Sequence, residues 1–270
     1  MSQASPAAQA VHYPYCDGQP MAESELQLIP MLYLLTALRT HFRHREDVYV
    51  GGDMFVYYEE GNPAAVVAPD VFVVCGAPKR ADNPRYSYKL WEEPKGPDFV
   101  LEVTSESTWA VDLGQKRARY AAMGVAEYWL YDPTGKRLAS RLRGMALAGG
   151  GYQDLAPEPG TGAMRSAALG LELRVESSGR LRLRDPETGR DLLGHEEQHT
   201  AQLAAERQAR RANARATLEA EARRVEAAAR EKAEVRARRE AAARAAAEAK
   251  VAELQAQLRE RRAESERRQE

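Results

Sequence analysis

The sequence predicts an α/β (α+β) domain followed by a long helical extension, and three observations predict it. Two short runs, PDVFVV at 69–74 and DFVLEV at 98–103, are almost continuously apolar, as strands covered on both faces are. Leu26, Ile29, Tyr33, Leu34, Ala37, Leu38 and Phe42 recur at helical spacing. From about His195, proline and glycine vanish and Ala, Glu and Arg dominate. The chain therefore divides into a loosely ordered N-terminus (1–20), a globular domain (21–194) and a helical tail (195–270).

Taken in order, residues 22–45 read as helix, with a break expected at Pro30 because proline lacks the amide hydrogen a helix interior uses. The cationic cluster His41, Arg43, His44 and Arg45 suits a helix C-terminus. Strands are expected at 47–50 and 53–58, flanking a Gly51-Gly52 turn, and at 71–75. The stretch 76–97 holds Pro78, Pro84, Pro94 and Pro97 and reads as a long connection. In it, Tyr86, Tyr88, Lys89 and Trp91 either pin the loop to the body or contact a substrate. After the strand at 98–104, Thr108 or Asp112 caps a helix that ends at Gly124. EYWLYDP is a strand closed by a DPTG turn. Shorter antiparallel strands follow at 137–143, 151–155, 171–176 and 181–184.

Charge narrows the function classes. Through Gly194 there are 21 Lys and Arg against 25 Asp and Glu, and from His195 the figures are 18 and 15. A strongly basic nucleic-acid binder is excluded, so any DNA contact needs a local patch and a bound cation. Cys16 reads as free and Cys75 as a buried thiol, with no disulfide framework or zinc spacing. No basic and apolar leader opens the chain, and no apolar stretch reaches the ~18 residues that span a membrane. The expected setting is the reducing cytoplasm.

The tail's large apolar residues are sparse: Leu203, Leu218, Val225, Val235, Val251, Leu254 and Leu258. Leu218 and Val225 stand one heptad apart, and Val251, Leu254 and Leu258 follow an a–d–a pattern. A coiled-coil arm joining two copies and a solvated single helix held by i,i+4 Glu–Arg pairs both fit. At ~1.5 Å per residue either reaches on the order of 110 Å.

The chemistry centres on Glu102. A carboxylate within so apolar a strand is costly unless a cation or metal faces it. Asp70 opens the neighbouring apolar run, and the helix after Glu102 carries Asp112, Lys116 and Tyr120 at i, i+4 and i+8, on one face. Two strands that each offer one acid suit a hard divalent cation. Asp70, Glu102 and the Val103 carbonyl can ligate Mg²⁺ at ~2.1 Å with waters completing the shell. An ordinary surface ion pair explains Asp112 and Lys116 equally well by spacing alone.

In PDVFVV, GPDFVLEVTSEST and DLGQKRARYAAMGVAEYWLYDP the chain resembles the Uma-two-type restriction-endonuclease family of the PD-(D/E)XK nuclease superfamily. The resemblance spans roughly residues 20–190 and is most specific over 98–133. It implies a restriction-endonuclease-like mixed central sheet flanked by helices, a Mg²⁺ site (Mn²⁺ as a substitute) and hydrolysis of DNA phosphodiesters. It places the motif's acids at Asp70 and Glu102 and its lysine at Lys116, since Thr104 stands where the superfamily lysine falls. Tyr120 lies in the same helix block and joins Asp70, Glu102 and Lys116 as a catalytic candidate. Glu106 departs from the proline usual in that turn and sets an extra acid beside the site. The competing expectation is a catalytically silent nuclease-like protein that docks a partner through its tail.

Overall fold

The structure, a computed structural model, describes residues 11–15, 24–80 and 83–267, with side chains of the last helix described to residue 259. The expectation for Cys16 and most of that for residues 1–20 lie outside the described residues. The chain divides into two compact units, Met1–Thr200 and Ala201–Glu270.

The first unit opens with helix α1 (Glu25–His41). Strands β1 (Val48–Gly51), β2 (Val56–Tyr57), β3 (Val66–Val67), β4 (Val71–Cys75), β5 (Tyr88–Lys89) and β6 (Phe99–Val103) follow. A helical stretch comes next: α2 (Trp109–Val111), a π-helical turn (Asp112–Lys116) and α3 (Arg117–Ala122). Then come β7 (Glu127–Tyr131), β8 (Leu142–Ala148), β9 (Gly151–Asp154), β10 (Met164–Ser166), β11 (Leu171–Val175), β12 (Leu181–Asp185) and β13 (Arg190–Asp191), and finally helix α4 (His195–Arg267).

Six strands form a mixed central sheet in the order β1-β4-β6-β7-β8-β9, with β6 and β7 parallel and every other neighbour antiparallel. An antiparallel sheet β10-β11-β12-β13 and a small sheet β3-β2-β5 complete the α+β fold. The near-continuous apolar runs have their explanation in the two faces of the central sheet. Val71, Val73, Phe99, Leu101, Val103 and Trp129 pack on one face with α1 and the β10–β12 sheet. Phe72, Val74, Val100, Tyr128 and Leu130 pack on the other with β2, β5 and Tyr120 of α3. Each fully buried side chain of this size contributes ~1.5–3 kcal/mol. Because strand side chains alternate, Asp70 and Glu102 fall on the second face, beneath the π turn and α3.

Some elements differ from the expectation. Pro30 lies inside α1 without breaking it. The missing amide hydrogen forgoes one bond, to Leu26, in a solvent-facing turn where Leu26 and Ile29 are exposed, and burial of Met31, Leu34, Ala37 and Leu38 downstream offsets that loss. The expected strand 53–58 shrinks to Val56–Tyr57. The expected strand at 137–143 starts only at Leu142, because the buried Asp132 carboxylate draws residues 133–138 into a turn: it accepts from the amides of Thr134 (2.9 Å), Arg137 (2.6 Å) and Leu138 (3.2 Å). Cys75 is half-buried rather than buried, its Sγ 3.7 Å from the Ala168 carbonyl. In the 76–97 connection, Tyr88 is buried and donates to the Lys95 carbonyl (2.6 Å), whereas Tyr86 is exposed.

The Gly51-Gly52 pair sets the approach of two segments. A Cβ on Gly52 would stand 2.3 Å from the Asp70 carbonyl oxygen and 2.9 Å from Leu35 Cδ2, while the next amide, of Asp53, donates to the Pro69 carbonyl (3.0 Å). Gly52→Ala is therefore expected to push the Asp70 backbone outward and to destabilise the chain by ~1–3 kcal/mol, read by urea unfolding.

In the second unit, α4 is solvated from Ala201 to residue 259, with Leu203, Leu218, Val225, Val235, Val251, Leu254 and Leu258 exposed. Pairs such as Arg236–Glu240 (2.8 Å) and Arg244–Glu248 (3.0 Å) recur at i,i+4, each contributing ~0.3–0.5 kcal/mol. No helix of the described chain is long and apolar enough to cross a membrane.

Candidate active site

The antiparallel register of β4 and β6 pairs Val71 with Leu101. One step further along that register, Asp70 stands opposite Glu102, where facing Cβ atoms are ~4.5–5.5 Å apart. Asp70 Oδ2 accepts from the Val103 amide at 2.6 Å, which ties the first acid to the strand that carries the second. Glu102 is wholly buried. Its Oε1 accepts from the Tyr120 hydroxyl at 2.6 Å, and its Oε2 lies 2.9 Å from Lys116 Nζ. The same ammonium is 3.1 Å from Asp112 Oδ1.

The helix delivers these groups in an unusual way. Its segment Asp112–Lys116 is wound as a π turn, between α2 and α3, a local widening that often marks functional sites. Gly114 sits within the turn with open space around it. Across the turn Asp112 and Lys116 both reach inward, and Tyr120 follows one turn on. Asp112 does not cap a helix and is not a surface group: it is 1% exposed, and its backbone carbonyl accepts from Tyr128 Oη at 2.9 Å. The helix ends at Gly124, whose φ of +74° is the left-handed conformation a helix stop favours.

The electrostatics follow from three acids sharing one ammonium. Burial, reinforced by the charge of Glu102, pushes the Asp70 carboxyl up to about 8. Burial likewise raises Glu102, against the pull of Lys116. Burial opposes the Lys116 charge, yet Glu102 and Asp112 outweigh it and hold the ammonium above its ordinary value. Burial and then Glu102 raise Tyr120, so its hydroxyl stays a donor.

A fit test for a cation rests on unmet donors. Asp112 Oδ2 is buried without a partner, while Glu102 Oε2 (2.9 Å) and Asp112 Oδ1 (3.1 Å) share a single Lys116 ammonium. Buried carboxylate oxygens left in this state are rare and costly, and they match the hard oxygen donors a divalent cation prefers. Among the described residues no three or more His, Cys, Asp or Glu side chains form a ready cage. A cation here thus relies on two acids, a carbonyl and water, and the residues fit that arrangement.

Residues 2–176 match the family described as "Uma2: Putative restriction endonuclease". The chain belongs to this family. No curated relative matches it. Among solved structures it is similar to a crystal structure titled as a putative nuclease belonging to DUF820 from Anabaena variabilis ATCC 29413. That likeness has 12% identity and a TM-score of 0.38, covering 54% of this chain and 80% of the other.

In this Uma2 chain the four expected residues, Asp70, Glu102, Lys116 and Tyr120, come together on one face of the central sheet. Asp112, which spacing alone left as a cap or a surface pair, joins them. Another buried acid, Glu127, carries no distinguishing signal in the sequence. It opens β7 on the opposite face and accepts from Trp129 Nε1 (3.0 Å), Ser166 Oγ (2.6 Å) and the amides of Ala167 (2.7 Å) and Ala168 (3.0 Å). Glu127 is satisfied by neutral donors and is structural, whereas Glu102 faces a cation, its Oε2 lying 2.9 Å from the Lys116 ammonium. Only the partners separate the two, since both read in sequence as a lone acid in an apolar strand.

The acidic crowding predicts a pH dependence. The folded chain retains on Asp70 a proton that the unfolded chain, with an ordinary value of 3.8, has released. Stability without divalent ions therefore falls as pH rises from 3.8 towards about 8 and levels beyond. Asp70→Asn, which keeps the acceptor for the Val103 amide, is expected to flatten that slope, as urea unfolding at pH 5.5 and 8.5 in EDTA would reveal. An unchanged slope would place the raised acid elsewhere.

Proposed function

We propose that this chain is a divalent-cation-dependent endonuclease that hydrolyses DNA phosphodiester bonds, Mg²⁺ being the expected ion and Mn²⁺ a substitute. The observation that carries the reading is the pairing of two buried acids, Glu102 and Asp112, with one Lys116 ammonium, beside an Asp70 whose carboxylate is tied to the Val103 amide of the strand that bears Glu102. Family membership supports it.

In this reading Asp70, Glu102 and the Val103 carbonyl hold the ion. When bound, the ion polarises the phosphoryl oxygen and lowers the pKa of a ligated water. Lys116 turns its charge to the developing negative charge on the phosphate, and Asp112 keeps that ammonium in place when Glu102 is engaged. Tyr120 fixes the rotamer of Glu102 through its hydroxyl hydrogen bond. Residues 21–194 form the catalytic domain, and the tail from His195 joins two copies into a homodimer. The expected setting is the cytoplasm.

The decisive experiment is calorimetric titration of Mg²⁺ or Mn²⁺ into the full chain, paired with DNA cleavage in the presence and absence of EDTA. Cation binding at pH 8 and EDTA-sensitive cleavage are expected. A chain that binds neither ion and loses a partner on deletion of residues 195–270 would instead be a docking protein.

A further inference from the structure

A cavity of about 480 Å³ opens beside the proposed active site, at the carboxyl ends of the parallel strands β6 and β7. Its walls are the turn after β6, with Ser105, Glu106 and Ser107, and the turn after β7, with Thr134, Lys136 and Arg137. The start of α1 closes a third side. Ser105 stands three residues beyond Glu102, within ~10 Å along an extended chain.

The two turns are built rather than incidental. Asp132 is buried and accepts from the amides of Thr134, Arg137 and Leu138 and from Thr134 Oγ1 (2.7 Å), so the segment bearing Lys136 and Arg137 is held in one shape. On the opposite wall Ser105 Oγ shares hydrogen bonds with Ser107 Oγ (3.1 Å) and Thr108 Oγ1 (3.0 Å), a linked set of hydroxyls. Between the walls Arg137 Nη2 meets Glu106 Oε1 at 2.7 Å. Glu106 is 87% exposed, so this ion pair is worth little in water and yields to a phosphate that the guanidinium can grip in a bidentate, charge-assisted way.

We propose that this cavity is a subsite for a backbone phosphate of the nucleic-acid substrate. Arg137 and Lys136 are its cations, Ser107 its hydroxyl donor, and Glu106 a displaceable counter-charge that weakens binding. The inference rests on the nuclease reading for its substrate and adds a determinant of affinity outside the metal site. It also accounts for how a domain without net positive charge engages DNA: two cations are concentrated in one concave site.

The test is fluorescence anisotropy of a labelled DNA duplex with the full chain in EDTA, across a series of salt concentrations. The double variant Lys136→Gln/Arg137→Gln is expected to bind about tenfold more weakly, equally for unrelated sequences, with the salt slope reduced by roughly two. Glu106→Gln is expected to bind several-fold more tightly, a change that a misfolded variant cannot mimic. Thermal melts confirm folding. Absence of wild-type binding at low salt, or unaltered affinity and slope in both variants, would overturn the subsite. The nuclease reading fails separately, by the absence of EDTA-sensitive DNA cleavage in the wild-type chain whatever the anisotropy shows.

Discussion

Glu102→Ala is expected to abolish cation binding and to lower DNA cleavage by at least about 100-fold, more than the ~10–100-fold typical when a residue merely supporting a metal ligand is removed. The side chain has two oxygens with two tasks. Oε1 is committed to Tyr120, and Oε2 pairs with the Lys116 ammonium at 2.9 Å. Losing the side chain removes a carboxylate ligand and leaves Asp70, held by the Val103 amide, with a single acid's worth of charge to attract an ion. The fold should survive, because Lys116 keeps Asp112 at 3.1 Å and one of three crowded acids is gone. The isosteric Glu102→Gln, which retains the acceptor for Tyr120, should behave alike in cleavage and titration while melting close to the wild type. Cleavage unchanged in both variants would remove the site from the mechanism.

Glu127→Ala should have the opposite profile, a large loss of stability with no change in the chemistry of the surviving folded protein. Its carboxylate collects four donors, from Trp129, Ser166, Ala167 and Ala168, and so fastens the β10–β13 sheet to the central sheet. Truncation strands the two buried donors, Trp129 Nε1 and Ser166 Oγ, while the amides of Ala167 and Ala168 lie nearer solvent. At ~1–3 kcal/mol for each buried donor, the cost is ~2–6 kcal/mol, a large share of the ~5–15 kcal/mol typical of a whole domain. Urea unfolding gives the free energy directly. A loss below ~1 kcal/mol would mean that the donors find water or other partners. Ser166→Ala, which removes one of the four, should cost correspondingly less.

The contrast between these glutamates shows how far the sequence reaches. Near-continuous apolar runs placed Glu102 inside one strand and Asp70 at the entry to another, and the i, i+4, i+8 spacing placed Lys116 and Tyr120 on one helix face. Those are local regularities of the chain. The same local reasoning misjudged Pro30, because the cost of one missing hydrogen bond was weighed without the burial of Met31, Leu34 and Leu38. It also extended a strand into 137–141, where the Asp132 carboxylate organises a turn through contacts that span several residues.

What the sequence by itself determined is the alternation of strands and helices, the covering of both sheet faces, the uniform helical tail and the membership in the Uma2 family. What only the tertiary structure decided is which acids are chemical and which are architectural. The register of β4 against β6 sets Asp70 opposite Glu102, and a π turn carries Asp112 into the same buried space. The physical reason is that the cost of a buried carboxylate depends on its partners, and those partners come from strands and turns distant in the chain.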